Sequence, residues 1–147
     1  MSLKTTNEID IVRAISSKIN DVDFENLSFG STFTDHMLVC DFKEGQWQKP
    51  VIKPYEPFMI DPSAKVFHYG QAIFEGMKAY KGEDNSVWLF RPDENLIRFN
   101  KSAVRMAMPE VPENIFIDGL KTILDIERDW VKKGLGNTLY IRPFMIA

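Results

Sequence analysis

Met77-Lys78-Ala79-Tyr80, Gly82-Glu83-Asp84-Asn85-Ser86 and Val87-Trp88-Leu89-Phe90 follow one another almost without a break, and their reading decides the fold. Two apolar runs flank a polar turn, which predicts an antiparallel hairpin. Arg91-Pro92-Asp93 comes next, and Leu96, Ile97, Asn100, Ala103, Val104 and Ala107 then recur near helical spacing until Pro109. Asp93 is the expected N-cap, because a short acidic side chain there accepts from the free N–H groups of the first turn. Strand, turn, strand and helix in one stretch make the chain α+β with antiparallel pairing.

Toward the C-terminus, Pro112-Glu113-Asn114 opens a second helix that carries Ile117, Leu120, Ile123, Leu124, Ile126 and Trp130. It is expected to end at Lys132-Lys133-Gly134, where lysines suit the negative end of the helix dipole and glycine suits the C-cap. The run from Thr138 to Ala147 is apolar and strand-like. With no polar tail to shield it, it reads as an unpaired strand, and the expectation is that the natural chain continues beyond it. Toward the N-terminus, residues 33–42 are rich in β-branched and aromatic types, Gly45 marks a turn and Trp47 resumes an extended segment, a first hairpin. Pro50, Pro54, Pro57 and Pro62 divide the next region into pieces too short for helices. Ile9, Val12, Ile15 and Ile19 lie near helical spacing and predict a short amphipathic helix over residues 7–19. The predicted organisation is an N-terminal arm over residues 1–24 and one domain over residues 25–147, an antiparallel sheet with two main helices packed on it.

With 147 residues, 44% hydrophobic and 27% charged, the chain is ordinary for one soluble domain. A net charge of -3 and no long basic run leave no electrostatic footprint for nucleic acid or an anionic membrane. No apolar run approaches the roughly 20 residues needed to span a bilayer, so neither partner is expected. The single cysteine, Cys40, cannot form an internal disulfide, and with only His36 and His68 beside it no zinc set of thiols and imidazoles can be assembled. No metal is expected, and a reducing cytoplasm is the natural setting. Cys40 sits in the apolar run Met37-Leu38-Val39-Cys40 and reads as a packing residue rather than a nucleophile. The eight glycines never reach the spacings of a nucleotide-binding loop.

Three features could carry chemistry. Arg98, Lys101, Ser102 and Arg105 fall near one helical face, where a guanidinium can hold a phosphate by paired hydrogen bonds; by spacing alone the same residues form a solvated cationic face. Arg142 stands between Ile141 and Pro143-Phe144, so its charge must be paired, exposed at an edge or pointed into a polar site. Phe67-His68-Tyr69-Gly70 leads to Phe74-Glu75-Gly76, where Tyr69 and Phe74 read by residue type alone as core aromatics. Glu75 has no second carboxylate at a useful spacing, which gives a paired-carboxylate mechanism little support.

At these residues the chain resembles the branched-chain aminotransferases, members of the class IV (fold type IV) pyridoxal-phosphate enzymes. The resemblance runs from about Leu27 to Ala147. It rests on Phe29-Gly30-Ser31-Thr32-Phe33-Thr34-Asp35-His36-Met37, on the run from His68 to Tyr80, on Leu89-Phe90-Arg91-Pro92, on Asn95-Leu96-Ile97-Arg98 and Ser102-Ala103, and on Tyr140-Ile141-Arg142-Pro143. The first of these segments is similar to the subgroup that includes the animal enzymes and many bacterial ones, and separates the chain from D-amino-acid aminotransferases and aminodeoxychorismate lyases. The resemblance implies that Arg98 binds the phosphate of pyridoxal 5'-phosphate. It implies that Phe29, Tyr69, Phe74 and Tyr140 line the substrate side-chain pocket, and that Arg142 with Tyr69 receives the side-chain carboxylate of glutamate.

The implied reaction moves the amino group of leucine, isoleucine or valine to 2-oxoglutarate in two half-reactions, with branched-chain amino acids, glutamate and 2-oxo acids as ligands and a homodimer as the usual assembly. No lysine occupies the matching catalytic motif, so the Schiff-base lysine is expected beyond Ala147. Residues 25–147 are then the small N-terminal domain, cut before the large one and inactive alone. Another class IV enzyme, acting on D-amino acids, or a non-catalytic module built on the same motifs are the alternatives.

Overall fold

The computed structural model describes residues 9–147. In chain order the elements are β1 (Asp10–Ile11), β2 (His36–Val39), β3 (Phe42–Lys43), β4 (Gln46–Trp47), β5 (Val51–Pro54), α1 (Lys65–Tyr69), β6 (Ala72–Phe74), β7 (Met77–Lys81), β8 (Val87–Leu89), α2 (Pro92–Arg105), α3 (Gly119–Ile126), β9 (Leu139–Ile141) and β10 (Phe144–Ile146). Every strand pair is antiparallel except β1 with β5. The fold is α+β, as the hairpin and the two helical periodicities predict. The strands form four small sheets rather than one: β1-β5-β2, β3-β4, β8-β7-β9 and β6-β10.

The β7–β8 hairpin closes with Lys81 opposite Val87 and Ala79 opposite Leu89. The first hairpin narrows to β3 and β4, joined by Glu44 and Gly45 at φ +54° and +76°, the left-handed pair that a tight two-residue turn requires. β2 pairs instead with β5. Just after Pro62 comes α1, a helix the sequence reading did not include, ended by Gly70 in the left-handed conformation.

β6–β7 and β9–β10 run side by side in one register, with Phe74 opposite Phe144 and Met77 opposite Ile141. Glu75 and Gly76 therefore stand opposite Pro143 and Arg142. The Glu75 N–H donates to the Pro143 carbonyl at 2.8 Å, but Pro143 has no N–H to return, and there the ladder breaks. The run from Thr138 to Ala147 is thus not an unpaired strand: it folds as two strands, each paired, and the Ala147 carbonyl accepts the Val66 N–H at 2.7 Å. Ile73, Met77, Leu96, Phe99, Ala103 and Phe116 are among the buried side chains that join this ribbon to α2 and to the turn before α3.

Three local expectations are corrected. Asp93 is not the N-cap: Pro92 is the first helical residue after Arg91 at φ +48°. Proline's fixed φ and missing N–H suit that place, and Asp93 falls into the first turn, where its charge favours the helix dipole. The second helix opens with a single wide turn over Asn114–Asp118 and leaves α geometry at Ile126, because Glu127 turns inward to accept from His36 and from the Asp35 N–H. Lys133 donates instead to the Glu83 carbonyl at 2.7 Å, and Lys132 lies over the Phe24 ring. The helix over residues 7–19 is not formed in its described part; Asn7 and Glu8 lie outside the described residues. Asp10–Ile11 is extended along β5, with Asp10 N–H on the Pro50 carbonyl and Val12 N–H on the Ile52 carbonyl. Ile15 is wholly exposed, so a helix there has no apolar face to bury.

Among the described residues no helix is long and apolar enough to cross a membrane, and no group of histidine, cysteine and acidic residues is arranged to hold a metal ion.

α2 ends at Arg105, four residues before Pro109. The Met108 N–H reaches the Ala103 carbonyl at 2.8 Å and the Ala107 N–H reaches the Val104 carbonyl at 3.1 Å, with Ala107 at φ +52°. That closure favours glycine, since a Cβ in the left-handed region costs about 1 kcal/mol or more. Ala107→Gly is expected to raise stability by about 0.5–1 kcal/mol in urea unfolding; a loss of stability would show that Ala107 is held there by something other than the cap.

Candidate functional site

Residues 72–80 alternate strictly between faces: Ile73, Glu75, Met77 and Ala79 point into the core, while Phe74, Gly76, Lys78 and Tyr80 face out. The alternation runs through the ladder break, so a carboxylate sits on the core side of the ribbon. α2 lies beneath it. Arg98 donates to Glu75 through Nε at 3.0 Å and Nη2 at 2.7 Å, and Asn95 Nδ2 donates to the same carboxylate at 2.8 Å and to the Gly76 carbonyl at 3.3 Å. The side chain of Glu75 is 10% exposed and that of Arg98 59%. The acid is therefore the buried anchor and the guanidinium its solvent-facing end. The Arg98 hydrogen bonds, with help from Asn95 and the Gly76 N–H, outweigh burial and hold the Glu75 carboxyl below its usual range. Glu75 in turn pushes the Arg98 guanidinium up. Lys101 and Arg105 remain exposed, so of the cationic series on α2 only Arg98 is drawn to the sheet.

Arg98 opens onto a depression of about 330 Å³ that Lys78, Tyr80, Arg91 and Tyr140 also line. Gly76 forms part of its wall, and a Cβ added there would run into the Tyr140 hydroxyl. Two N–H groups of Arg98 are engaged by Glu75, and Arg91 pairs at 2.8 Å with Glu94, which also lines the depression; the rest of the Arg98 fork, Lys78 and two phenols give it a donor set suited to a phosphate dianion.

On the outward face of the ribbon, Lys78 pairs across with Tyr140 and Phe74 with Phe144, with Gly76 and Arg142 between. Arg142 lies 4.5 Å from the Phe74 ring centre and donates to the Tyr140 hydroxyl from Nε at 3.1 Å and Nη2 at 2.9 Å. Phe29, on the loop before β2, meets the Tyr140 ring edge-on at 5.0 Å. Phe29, Phe74, Tyr140 and Arg142 are thus one cluster, and Tyr140 also borders the Arg98 depression. Tyr69 is not part of that cluster: it ends α1, is 80% exposed, and its described ring contact is with His68.

Glu75 and Asn95 are the residues missed at the sequence level. The period-two run Ile73-x-Glu75-x-Met77-x-Ala79 is the signal that could have found the first, because an acid on a core face needs a cation.

No family model matches the chain. Curated proteins do. It is 52% identical over 126 residues to branched-chain-amino-acid transaminase 1 of Bacillus subtilis, covering 85% of this chain and 35% of that protein. It is 47% identical over 137 residues to branched-chain-amino-acid aminotransferase 2 of the same organism, covering 92% and 38%. It is 45% identical over 124 residues to the branched-chain-amino-acid aminotransferase of Mycolicibacterium smegmatis, covering 83% and 34%. The chain belongs to the branched-chain aminotransferase family and spans about a third of the length of the curated relatives it matches.

The Glu75 carboxyl is depressed in the folded state, so its stabilising contribution is complete above the unfolded value of about 4.3 and is lost as pH falls through the lower folded value. Thermal melts between pH 6 and pH 3 are expected to show the wild-type chain losing stability below about pH 5 more steeply than Glu75→Gln. Parallel curves would mean that the carboxylate is not held as described.

Proposed function

We propose that the chain is the small domain of a pyridoxal-phosphate-dependent branched-chain aminotransferase, which moves the amino group of leucine, isoleucine or valine to 2-oxoglutarate. The observation that carries this reading is the placing of two arginines on either side of Tyr140, Arg98 at a cationic depression and Arg142 against aromatic rings. In this reading the protein is a cytoplasmic homodimer when complete.

When bound, pyridoxal phosphate supplies an electron-withdrawing ring that stabilises negative charge at the amino-acid Cα. Arg98 holds the phosphate with the N–H groups that Glu75 leaves free, and Glu75 and Asn95 fix the plane and direction of that fork. A guanidinium held in this way matches a dianion better than a mobile lysine. Lys78 adds positive potential without a covalent role, while the charge of Arg91 is offset by Glu94. Phe29, Phe74 and Tyr140 wall the substrate side chain. Arg142 meets the distal carboxylate of glutamate or 2-oxoglutarate; Tyr69, which the resemblance pairs with it, stands outside the cluster in this chain. One pocket then takes an aliphatic chain in one half-reaction and an acidic one in the other, because its single cation is reached only by the longer acid. The Schiff-base lysine belongs, in this reading, to the larger part of the family protein.

In the complete aminotransferase, Arg142→Leu is expected to raise KM for 2-oxoglutarate about 10- to 100-fold, the value of a charge-assisted hydrogen bond, while KM for leucine changes far less. An equal rise for both substrates would remove the carboxylate role. For the 147-residue chain, borohydride treatment with pyridoxal phosphate followed by peptide mapping is expected to leave every lysine without stoichiometric label. Full labelling of Lys78 would overturn the assignment of the covalent lysine to another part of the protein.

A further inference from the structure

His36 and Glu127 are buried, titratable and unused by the site above. His36 heads β2 and is 8% exposed; its Nδ1 is hydrogen-bonded to Glu127 Oε1. Its other nitrogen, Nε2, accepts the Ala14 N–H at 2.9 Å. A ring nitrogen that accepts an amide N–H carries no proton, so the ring's single proton is on Nδ1 and is donated to Glu127. Beside it, the Asp35 carboxylate accepts from the Ser17 hydroxyl at 2.5 Å, the Lys18 N–H at 3.0 Å and the Trp130 indole N–H at 3.1 Å. Asp35 and His36 therefore take hold of the arm at Ala14, Ser17 and Lys18. On either side of this point the arm is held by the short β1–β5 edge pair, with Asp10 paired to Lys49, and by Phe24 against Trp130 and Lys132; a two-residue edge pair is too short to hold by itself.

We propose that His36, backed by Glu127, is a proton-operated latch on the arm beside the fixed point at Asp35: it holds Ala14 to the domain while neutral and releases the arm at Ala14 when it takes a second proton. The second proton goes to Nε2 and sets one donor against another, so the bond to the arm becomes a repulsion. The bond to Glu127 gains charge and persists, so only the arm side opens.

The charged groups around His36 leave this asymmetry in place. Glu127 faces Nδ1 from the turn after α3, and Asp35 is the neighbour in sequence. From β5 the residue opposite is Pro54, and the nearby Lys53 pairs with Glu56 at 3.0 Å. Lys18 on the arm places its ammonium over the Tyr55 ring, and Arg128 pairs with Asp125 at 3.7 Å. Burial pushes the Asp35 carboxyl up, but the bonds from Ser17, Lys18 and Trp130 outweigh it and hold the group below its usual range. The hold of Asp35 on Ser17 and Lys18 thus rests on an ionised carboxylate.

The test is NMR of the 147-residue chain from pH 8 to pH 5, following the His36 ring nitrogens and the exchange of the Ala14 amide. The expected result is a proton on Nδ1 alone at pH 8, with Ala14 exchanging at least about tenfold more slowly than an open amide. That protection should disappear with the same midpoint as His36 and independently of His68. A proton on Nε2 at pH 8, or an Ala14 amide indifferent to the His36 titration, overturns the proposal. In His36→Gln the side-chain oxygen can accept the Ala14 N–H without titrating, so protection should persist to pH 5; loss at the wild-type midpoint would assign the effect to another group. Should that variant not fold, the wild-type titration decides. The readout is arm attachment, so the result does not depend on the aminotransferase reading.

Discussion

Taking a carboxylate out of water costs on the order of several kcal/mol unless a cation and further donors meet it. Glu75 occupies a core-facing position of β6–β7 and meets both conditions, with a two-point bond from Arg98 and a third donor in Asn95. That one arrangement joins sheet to helix and aims Arg98 out of the core toward the depression. The Asn95 bond to the Gly76 carbonyl ties the ladder break to the same helix. The ribbon's two faces thus divide the labour: the inner one anchors, and the outer one carries Phe74, Tyr140 and Arg142.

The site is also shaped by what is left out. Gly76 has no side chain where the Tyr140 hydroxyl rests, and Pro143 has no N–H where a ladder bond would form. Together they open a gap in an otherwise regular ribbon, and Arg142 faces outward within it. The Phe74 ring lies against the guanidinium, and the Tyr140 hydroxyl takes two of its N–H groups and leaves the others for further hydrogen bonds.

Local chemistry made part of this legible. At residues 77–90 the apolar runs and the polar turn agree, and at residues 92–105 proline, acidic first turn and apolar spacing agree, so each element follows from neighbours in the chain. Where the reading failed, a distant residue decides. The isoleucines of the arm have helical spacing but no apolar surface to meet, and the arm follows the edge of β5 and the Asp35-His36 pair instead. Glu127 ends α3 because of β2, some ninety residues away. Glu75 looked idle as a lone acid because its partner lies twenty-three residues further along the chain. Arg98 illustrates both readings at once: it is more than half exposed, as a solvated cationic face predicts, yet its head group is fixed by the sheet. The clustering of Phe29 with Tyr140 and Arg142 depends on loop and strand packing that no spacing encodes, and Tyr69 stands apart from it.

The unbroken register across Glu75-Gly76 and Arg142-Pro143 has a consequence for which changes of length this chain can absorb. Removing or adding one residue within either strand would exchange its two faces, sending Glu75 into solvent and Phe74 into the core, or turning Tyr140 and Arg142 inward. Side chains along the ribbon can be replaced one at a time, but the number of residues between Ala72 and Lys81, and between Leu139 and Ile146, is fixed by geometry. Length variation is therefore confined to the loops that flank the ribbon.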